Sequence, residues 1–196
     1  MQQLGVRTAR VAGVYGGAVQ AHGGQRHPEA RGAVFARRCP HTGAAAATLA
    51  EFTARYDAHK EDKTAPYPGI AALIDALNAA GVQCAVFSNK ADPLCGKIIE
   101  HYFGAGRFVL VRGSRPGVPT KPDPTGVYSL MQDLHADPAS TLFVGDSDVD
   151  ILTGHNASLP AMGALWGFRG RAELTAAGAD ALASVPEDIL EYVKTH

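Results

Sequence analysis

The stretch that decides the fold is residues 141–150, which read Thr-Leu-Phe-Val-Gly-Asp-Ser-Asp-Val-Asp. Its first four residues form a β-branched and apolar run that stops at Gly145, as expected of a buried parallel strand. Three aspartates follow within five residues, and a helical pattern begins there, with Val149, Leu152 and Asn156 on one face. Because open α/β sheets bind ligands at the carboxyl ends of their strands, these carboxylates are candidates for a ligand site.

The aspartate cluster has two explanations. Neighbouring carboxylates repel one another and ionise reluctantly unless a cation is present, and hard oxygen ligands suit Mg²⁺. Asp146 would then be a metal ligand, with Asp150 one helical turn further on. The alternative is an ordinary helix N-cap, since Asp and Ser both cap helices well. The upstream strands help to decide between the two.

Strand and helix patterns alternate from residue 68 onward. Residues 70–77 carry the i, i+3, i+4, i+7 spacing of an amphipathic helix. Four further helices are predicted: one that starts at Asp92, one that follows Pro124 and ends at about His135, one near residues 171–177 and one that starts at Pro186. Strands are predicted at residues 82–87, 108–111, 141–144, 161–166 and 181–183. This alternation predicts an α/β fold with a doubly wound, Rossmann-like parallel sheet that has helices on both faces.

Three of the predicted strand ends carry polar groups. Ser88 offers a hydroxyl and Asn89 an amide, both suited to a phosphate oxygen, and Lys121 offers a compact charge that can neutralise a phosphoryl group. Taken singly, Ser88 is explained by a helix cap, Lys121 by a solvated surface lysine, and Asp150 by an exposed acid. Their order at successive strand ends, together with Asp146, favours one shared site.

Composition sets further bounds. The net charge of −1 and the 46% of apolar residues give no sign of a strongly charged partner. No apolar run approaches the roughly 18 residues of a membrane span. Three cysteines without a C-x-x-C pair fit a reduced cytoplasm and neither a disulfide framework nor a zinc site. Cys84, inside a predicted strand, is expected to be a small core residue.

The first 50 residues differ from the rest. They hold six Arg, a single acid (Glu29) and no Asp, Lys, Ser or Ile. A transit peptide would be Arg-rich but also Ser-rich. A basic arm for nucleic acid is disfavoured, because lysine is missing and aromatic residues are few. A flexible, poorly packed segment is the third interpretation. Residues 11–15 could supply one short strand.

Five short motifs carry a family resemblance, which covers about two thirds of the chain. They are Tyr-Pro-Gly at residues 67–69, Val-Phe-Ser-Asn-Lys at 86–90, Lys-Pro-Asp-Pro at 121–124, Gly-Asp-Ser-Asp-Val-Asp at 145–150 and Trp-Gly-Phe-Arg-Gly at 166–170. With these motifs the chain resembles the haloacid dehalogenase superfamily, and most closely its phosphoglycolate phosphatase-like members.

The resemblance implies a Mg²⁺-dependent phosphatase of a small phosphate monoester. In such enzymes an Asp attacks phosphorus to form an aspartyl-phosphate, which water then hydrolyses. By resemblance Ser88 and Lys121 are catalytic, with Ser88, Asn89 and Lys121 binding the substrate phosphate. Asp146 is expected to bind the metal and Asp150 to belong to the same metal site. Substrate identity and oligomeric state do not follow from the sequence.

One family motif has no counterpart in this chain. The family's first strand ends in D-x-D-G-T, which supplies the nucleophile and the general acid/base, whereas the first Asp in this sequence is Asp57. That strand lies at the centre of the family's sheet; residues 11–15 could fill the position but bring no carboxylate. We therefore expect the chain to be inactive or nearly so. A non-catalytic protein that binds a phospho-ligand or a partner is the alternative.

The missing motif and the change in composition suggest three regions. Residues 1–48 are expected to be an atypical, flexible segment, 49–67 a cap remnant helix and linker, and 68–196 the Rossmann-like core with a truncated or missing helical cap. A shifted reading frame or a wrong gene start would explain the first region, and resequencing the coding region for an upstream D-x-D-G-T tests that hypothesis.

Overall fold

The structure is a computed structural model that describes the backbone of residues 10–13 and 19–21, and residues 64–196. The chain forms two compact units, one of Met1–Val19 with Pro66–His196 and the other of Gln20–Ala65. The helix predicted near residue 49 and the boundary at residue 48 lie outside the described residues, and so does the expected loss of a cap. These three points stay predictions.

Strands and helices alternate through the described chain, as predicted. The strands are β1 (Arg10–Gly13), β2 (Val19–Ala21), β3 (Thr64–Pro66), β4 (Gln83–Ala91), β5 (Leu110–Ser114), β6 (Thr141–Gly145), β7 (Ala161–Ala164) and β8 (Ala181–Ala183). The α-helices are α1 (Ile70–Ala79), α2 (Asp92–Phe103), α3 (Thr125–Asp133), α4 (Asp148–Asn156), α5 (Arg171–Ala176) and α6 (Pro186–Thr195). None of these helices has the length and apolar character that crossing a membrane requires.

Six strands form one parallel sheet in the order β5-β4-β1-β6-β7-β8, and β2 pairs separately with β3. The short strand β1 lies in the centre, where Val11 stands opposite Cys84 on one side and Leu142 on the other. The strand considered at residues 11–15 therefore begins at Arg10 and ends at Gly13, in the position that the family's first strand occupies. Without it the backbone groups of β4 and β6 would have no partner at the centre of the sheet.

Helices cover both faces of the sheet, which confirms the doubly wound fold. On one face, α1, α2 and α6 pack on alternate residues of the strands, among them Cys84, Val86, Leu142 and Val144. On the other face, α3 packs on the intervening residues Ala85, Phe87 and Phe143, and α4 and α5 meet β7. The alternation of strand side chains thus gives the sheet two buried faces. Cys84 is a core residue, as predicted.

Some strand ends and the buried face of α4 differ from the sequence prediction, and β7 ends at Ala164 instead of residue 166. Strand β4 continues to Ala91 instead of stopping at residue 87, and strand β5 begins at Leu110. The residues that α4 buries are Asp150, Ile151, Thr153 and Gly154. Leu152 is one of the exposed large apolar residues, so the face predicted from Val149, Leu152 and Asn156 is not the one that packs against the sheet.

Candidate active site

The predicted site residues lie in or after the carboxyl ends of three strands, of which β5 and β4 are neighbours and β6 lies on the other side of the central strand β1. Ser88 and Asn89 are in the last part of β4, Lys121 is in the loop after β5, and Asp146 and Asp150 follow β6. Four of them are buried, with exposed fractions of 6% for Ser88, 8% for Lys121, 5% for Asp146 and 2% for Asp150. A solvated lysine at 121 and an exposed acid at 150 are therefore excluded.

An irregularity in β4 presents Ser88 and Asn89. Between Phe87 and Ala91 the chain advances four residues, while the paired strand β5 advances two, from Arg112 to Ser114. Bulges of this kind redirect side chains and are common beside active sites. The Ser88 hydroxyl accepts a hydrogen bond from the Lys90 N–H at 3.2 Å. Ser88 is not the cap of α2, which begins at Asp92 after Ala91.

Lys121 is held by its backbone and by its ammonium group. The Asn89 side chain accepts a hydrogen bond from the Lys121 N–H at 2.9 Å, and its Nδ2 donates to the Lys121 carbonyl at 3.3 Å. The Nζ atom lies 2.6 Å from Oδ1 of Asp150. Asn89, which the sequence predicts to contact phosphate, thus uses its side-chain amide to fix the loop that carries Lys121. Its contact with substrate stays a prediction.

The Asp150 carboxylate connects the site. Its Oδ1 accepts from Lys121, and its Oδ2 accepts from the N–H of Asp146 and the N–H of Ser147, each at 3.1 Å. The Ser147 hydroxyl donates to the same oxygen at 2.7 Å. Asp150 therefore joins the lysine to the loop that carries Asp146, and it also serves the helix start. The capping explanation and the site explanation both apply to this carboxylate.

Asp146 has an unusually basic carboxylate. Burial raises its pKa to about 6, with the charge of Asp150 acting in the same direction, although the Phe168 N–H and Lys121 oppose the shift. The Phe168 N–H donates to Oδ2 at 3.2 Å, and the Arg169 N–H donates to the Asp146 carbonyl at 3.2 Å. Loss of solvent and a like charge both disfavour the ionised form. A cation at this position would relieve both effects.

Two glycines let the backbone close around these acids. A Cβ on Gly145 would overlap the side chain of Asp150, and a Cβ on Gly167 would overlap the side chain of Asp146. Neither position has room for a larger residue. Gly167 brings the segment at residues 166–170 onto Asp146, which explains why the Trp-Gly-Phe-Arg-Gly motif belongs to the site and is more than a turn.

Two further residues lie at the site without a role predicted from the sequence, although Asn156 was placed on a helix face and Tyr67 begins the Tyr-Pro-Gly motif. Asn156 donates from Nδ2 to the carbonyl of Pro122 at 2.9 Å, next to Lys121, and the Lys121–Pro122 peptide bond is cis. Tyr67 lies close enough to Asp146 for that charge, after burial, to raise the pKa of its phenol. Asn156 ends a helix and Tyr67 precedes a Pro-Gly break. Neither position gives a chemical signal in the sequence.

The donor set can be tested against Mg²⁺. In the described part of the chain no third His, Cys, Asp or Glu joins Asp146 and Asp150 in a metal-binding group. With both acids ionised and Lys121 protonated, the site carries one net negative charge, which opposes a phosphate dianion. Mg²⁺ often binds through one or two carboxylates and completes its shell with water and substrate phosphate. The oxygen donors present fit that pattern, and the metal roles of Asp146 and Asp150 stay predictions.

Comparison with known proteins identifies the class. Residues 30–164 match the family described as haloacid dehalogenase-like hydrolase, and the chain belongs to this family. Among curated relatives, the phosphoglycolate phosphatase of Aquifex aeolicus is 35% identical over 133 residues, which cover 68% of this chain and 61% of that protein. The phosphoglycolate phosphatase of Agrobacterium fabrum is 31% identical and covers 60% of this chain and 50% of its own length. The chain thus spans about half to three fifths of these relatives.

Solved structures agree with the fold. A putative phosphoglycolate phosphatase from Lactobacillus delbrueckii matches with a TM-score of 0.71 and 29% identity, over 78% of this chain and 64% of that one. A haloacid dehalogenase-like family hydrolase from Streptococcus pneumoniae matches with a TM-score of 0.76 over 95% of this chain and 98% of that one. The second match, at 18% identity, concerns the fold alone.

Proposed function

We propose that this chain descends from a Mg²⁺-dependent phosphatase of a small phosphate monoester, similar to phosphoglycolate phosphatase, and that its catalysis is impaired. The observation that carries the proposal is the buried contact of 2.6 Å between Lys121 Nζ and Asp150 Oδ1. The Asp146 N–H donates to the same carboxylate, and Asn89, the residue after Ser88, accepts a hydrogen bond from the Lys121 N–H. A buried ammonium, a hydroxyl and a carboxylate at one sheet edge suit a phosphate bound together with a cation.

Each residue has a role in this proposal. Ser88 donates its hydroxyl to a phosphate oxygen, and Lys121 neutralises phosphate charge from a position that Asp150 and Asn89 hold. Asp146 would hold the Mg²⁺, whose chemistry is to bind and polarise phosphate oxygens.

The buried, unpaired thiols of Cys84 and Cys95 support a reducing compartment such as the cytoplasm.

Impairment follows from what comes after the central strand. Strand β1 ends at Gly13, and residues 14–28 contain no Asp or Glu. A carboxylate nucleophile is therefore missing from the segment where the family resemblance expects it. Loss of a nucleophile typically costs several orders of magnitude in rate.

The second candidate, a non-catalytic phospho-ligand or partner-binding protein, is favoured by the same two facts: the acids and the lysine are buried and connected, whereas the expected nucleophile is missing. Binding and turnover separate the candidates. Calorimetry with 2-phosphoglycolate and Mg²⁺ should show binding that Lys121→Ala abolishes, without measurable phosphate release.

The outcomes are distinct. Steady Mg²⁺-dependent phosphate release that Lys121→Ala removes would contradict impairment and restore a working phosphatase. No binding of phosphate monoesters under any condition would contradict both candidates.

A further inference from the structure

We propose that Arg115 forms a second anion-binding position beside the phosphate site and selects phosphate monoesters that carry another negatively charged group. The inference rests on the proposed function, because it assumes that Ser88 and Lys121 hold a phosphate. It adds a specificity-determining residue, on an element that the family motifs do not include.

The fold places Arg115 next to the segment that presents Ser88. Arg115 is the first residue after β5, and its neighbour Ser114 stands opposite Ala91 at the end of β4. A Cβ on Gly113 would collide with the carbonyl oxygen of Lys90. The end of β5 therefore lies directly against the irregular part of β4, and Arg115 leaves the sheet at the edge where the phosphate would bind.

A tight turn fixes the Arg115 backbone. The Val118 N–H donates to the Arg115 carbonyl at 3.2 Å, and Gly117 between them has a φ of 79°. With Pro116 at the second position, this is the residue pattern of a type II turn, in which the third residue needs a positive φ. The loop that leads on to Lys121 thus starts from a defined conformation, which holds the Arg115 Cα in place.

The guanidinium group has no counter-charge in the described chain. Its Nε atom is enclosed and lacks a hydrogen-bond partner among the described residues. Arg112, two positions before β5 ends, also has an enclosed Nε, but its Nη2 contacts Asp133 at 3.1 Å. A buried donor without an acceptor is costly, so such groups usually serve a ligand, water or ion. Of these two arginines, Arg115 is therefore the one whose guanidinium donors are left for an anionic ligand.

The chemistry of the group indicates its ligand. A guanidinium presents a planar fork of donors that matches carboxylate and phosphate oxygens in pairs. Lys121 is paired with Asp150 at 2.6 Å and is assigned to the first phosphate, so Arg115, which has no acidic partner among the described residues, is the cation left for a second anionic group. The expected ligand is a phosphate monoester with a second anionic group, either a carboxylate or a second phosphate.

Calorimetry on the full chain with Mg²⁺ tests this inference. The ligands are ethylene glycol monophosphate, 2-phosphoglycolate, which adds a carboxylate, and ethylene glycol bisphosphate, which adds a phosphate. We expect at least one of the two ligands that carry a second anionic group to bind about tenfold to a hundredfold more tightly than ethylene glycol monophosphate, the effect expected of a charged hydrogen bond. Which ligand gains identifies the group that Arg115 recognises.

Variants assign the effect to one residue. Arg115→Met should remove the preference and leave the affinity for the monophosphate unchanged. Arg112→Met, a matched control three positions earlier in β5, should keep the preference. Arg115→Lys retains charge without the fork and should lose most of the preference; it also serves if Arg115→Met fails to fold. Equal affinities in the unmodified chain, or a preference that survives both Arg115 variants, would overturn the inference alone. No binding of any of the three ligands would overturn the proposed function as well.

Discussion

The pair Lys121–Asp150 shows how the cost of burying charge is met in this site. Both side chains are almost fully enclosed, at 5% and 3% exposure, and their charged atoms are 2.6 Å apart. The remaining capacity of the carboxylate is used by backbone N–H groups and by Ser147. A buried pair of this kind need not stabilise the fold strongly, but removing one partner leaves the other charged and without compensation.

We therefore expect Lys121→Ala to lower the free energy of unfolding by about 3–5 kcal/mol. Lys194→Ala is a suitable control, because the Lys194–Glu191 pair is 2.9 Å apart but largely exposed. Exposed pairs contribute little, so this change should stay within about 0.5 kcal/mol of the unmodified chain. Urea denaturation measures both. Equal losses for the two variants would mean that Lys121 is not buried with Asp150.

Asp146 gives a prediction on pH dependence in buffer free of divalent ions. Its pKa of about 6 in the folded state exceeds that of the unfolded chain, which is about 4. Between these values the folded state binds more protons, so this residue's contribution to stability is full below pH ~4 and is lost as the pH rises to ~6. The loss is on the order of 3 kcal/mol, since each pKa unit corresponds to about 1.4 kcal/mol.

Asp146→Asn should remove this contribution, whereas Asp148→Asn, two positions away, should leave it. The measurement is the free energy of unfolding of each variant at several pH values from 4 to 7. If the Asp146→Asn profile runs parallel to that of the unmodified chain, the carboxylate of Asp146 titrates at an ordinary value and the argument for a cation there is weakened.

At the scale of elements, sequence periodicity predicted what apolar side chains decide. The helix at residues 70–77 could be predicted because its buried residues, Ile70, Leu73, Ile74 and Leu77, are all apolar. The buried face of helix α4 could not be predicted from apolar residues, because it includes Asp150, Thr153 and Gly154. Asp150 faces inward to serve the site, the Thr153 hydroxyl donates to the Val149 carbonyl, and Gly154 lies against Phe143 and Ala161 of the sheet. Because these buried residues are polar or small, the hydrophobic pattern indicated another side of the helix.

The irregular part of β4, residues 88–90, also could not be predicted from the sequence. Residues 88–90 are polar, and polar residues after an apolar run normally mark the end of a strand. The pairing of Ala91 with Ser114 depends on the close approach of Gly113 to Lys90, a contact between segments distant in the sequence. Local patterns do not contain such information, although they did locate Ser88, Lys121 and Asp146 at the ends of strands that follow one another in the chain.

The joint between β6 and α4 gives a prediction with an internal control. Gly145→Ala would place a methyl group in the volume of the Asp150 side chain, and overpacking of this kind typically costs about 1–3 kcal/mol. Gly96→Ala in α2 meets no atom within 4 Å and should instead stabilise by roughly 0.5–1 kcal/mol, since alanine favours helix. Thermal and urea unfolding measure both. An unchanged free energy of unfolding for Gly145→Ala would show that β6 and α4 can move apart at this contact without loss of stability.

At the scale of the whole molecule, the central strand forms without the D-x-D-G-T motif that the family resemblance expects after it, because a strand needs only backbone groups to complete a sheet. Residues 10–13 pair with both β4 and β6, yet no carboxylate follows them before Glu29. The fold class was therefore predictable from alternation alone. For the carboxylate nucleophile expected after the central strand, the sequence predicted only that it is missing.

Breaking the central strand tests its contribution to the whole fold. Ala12 lies between Ala85 and Phe143, and Ala12→Pro removes an N–H from the middle of the sheet, which should cost about 3 kcal/mol or more. Ala12→Gly keeps the N–H and should cost about 1 kcal/mol or less. Circular dichroism during urea denaturation compares the two. Similar, small effects would mean that β1 is not part of the core sheet.

The central place of β1 also has a consequence during translation. Residue Val11 leaves the ribosome long before its neighbours Cys84 and Leu142 are made. At roughly 5–20 residues per second, the first neighbour follows after several seconds and the second later still. The nascent chain therefore holds an open sheet until β6 emerges, and a message cut short before that point should yield an aggregating product rather than a smaller folded one.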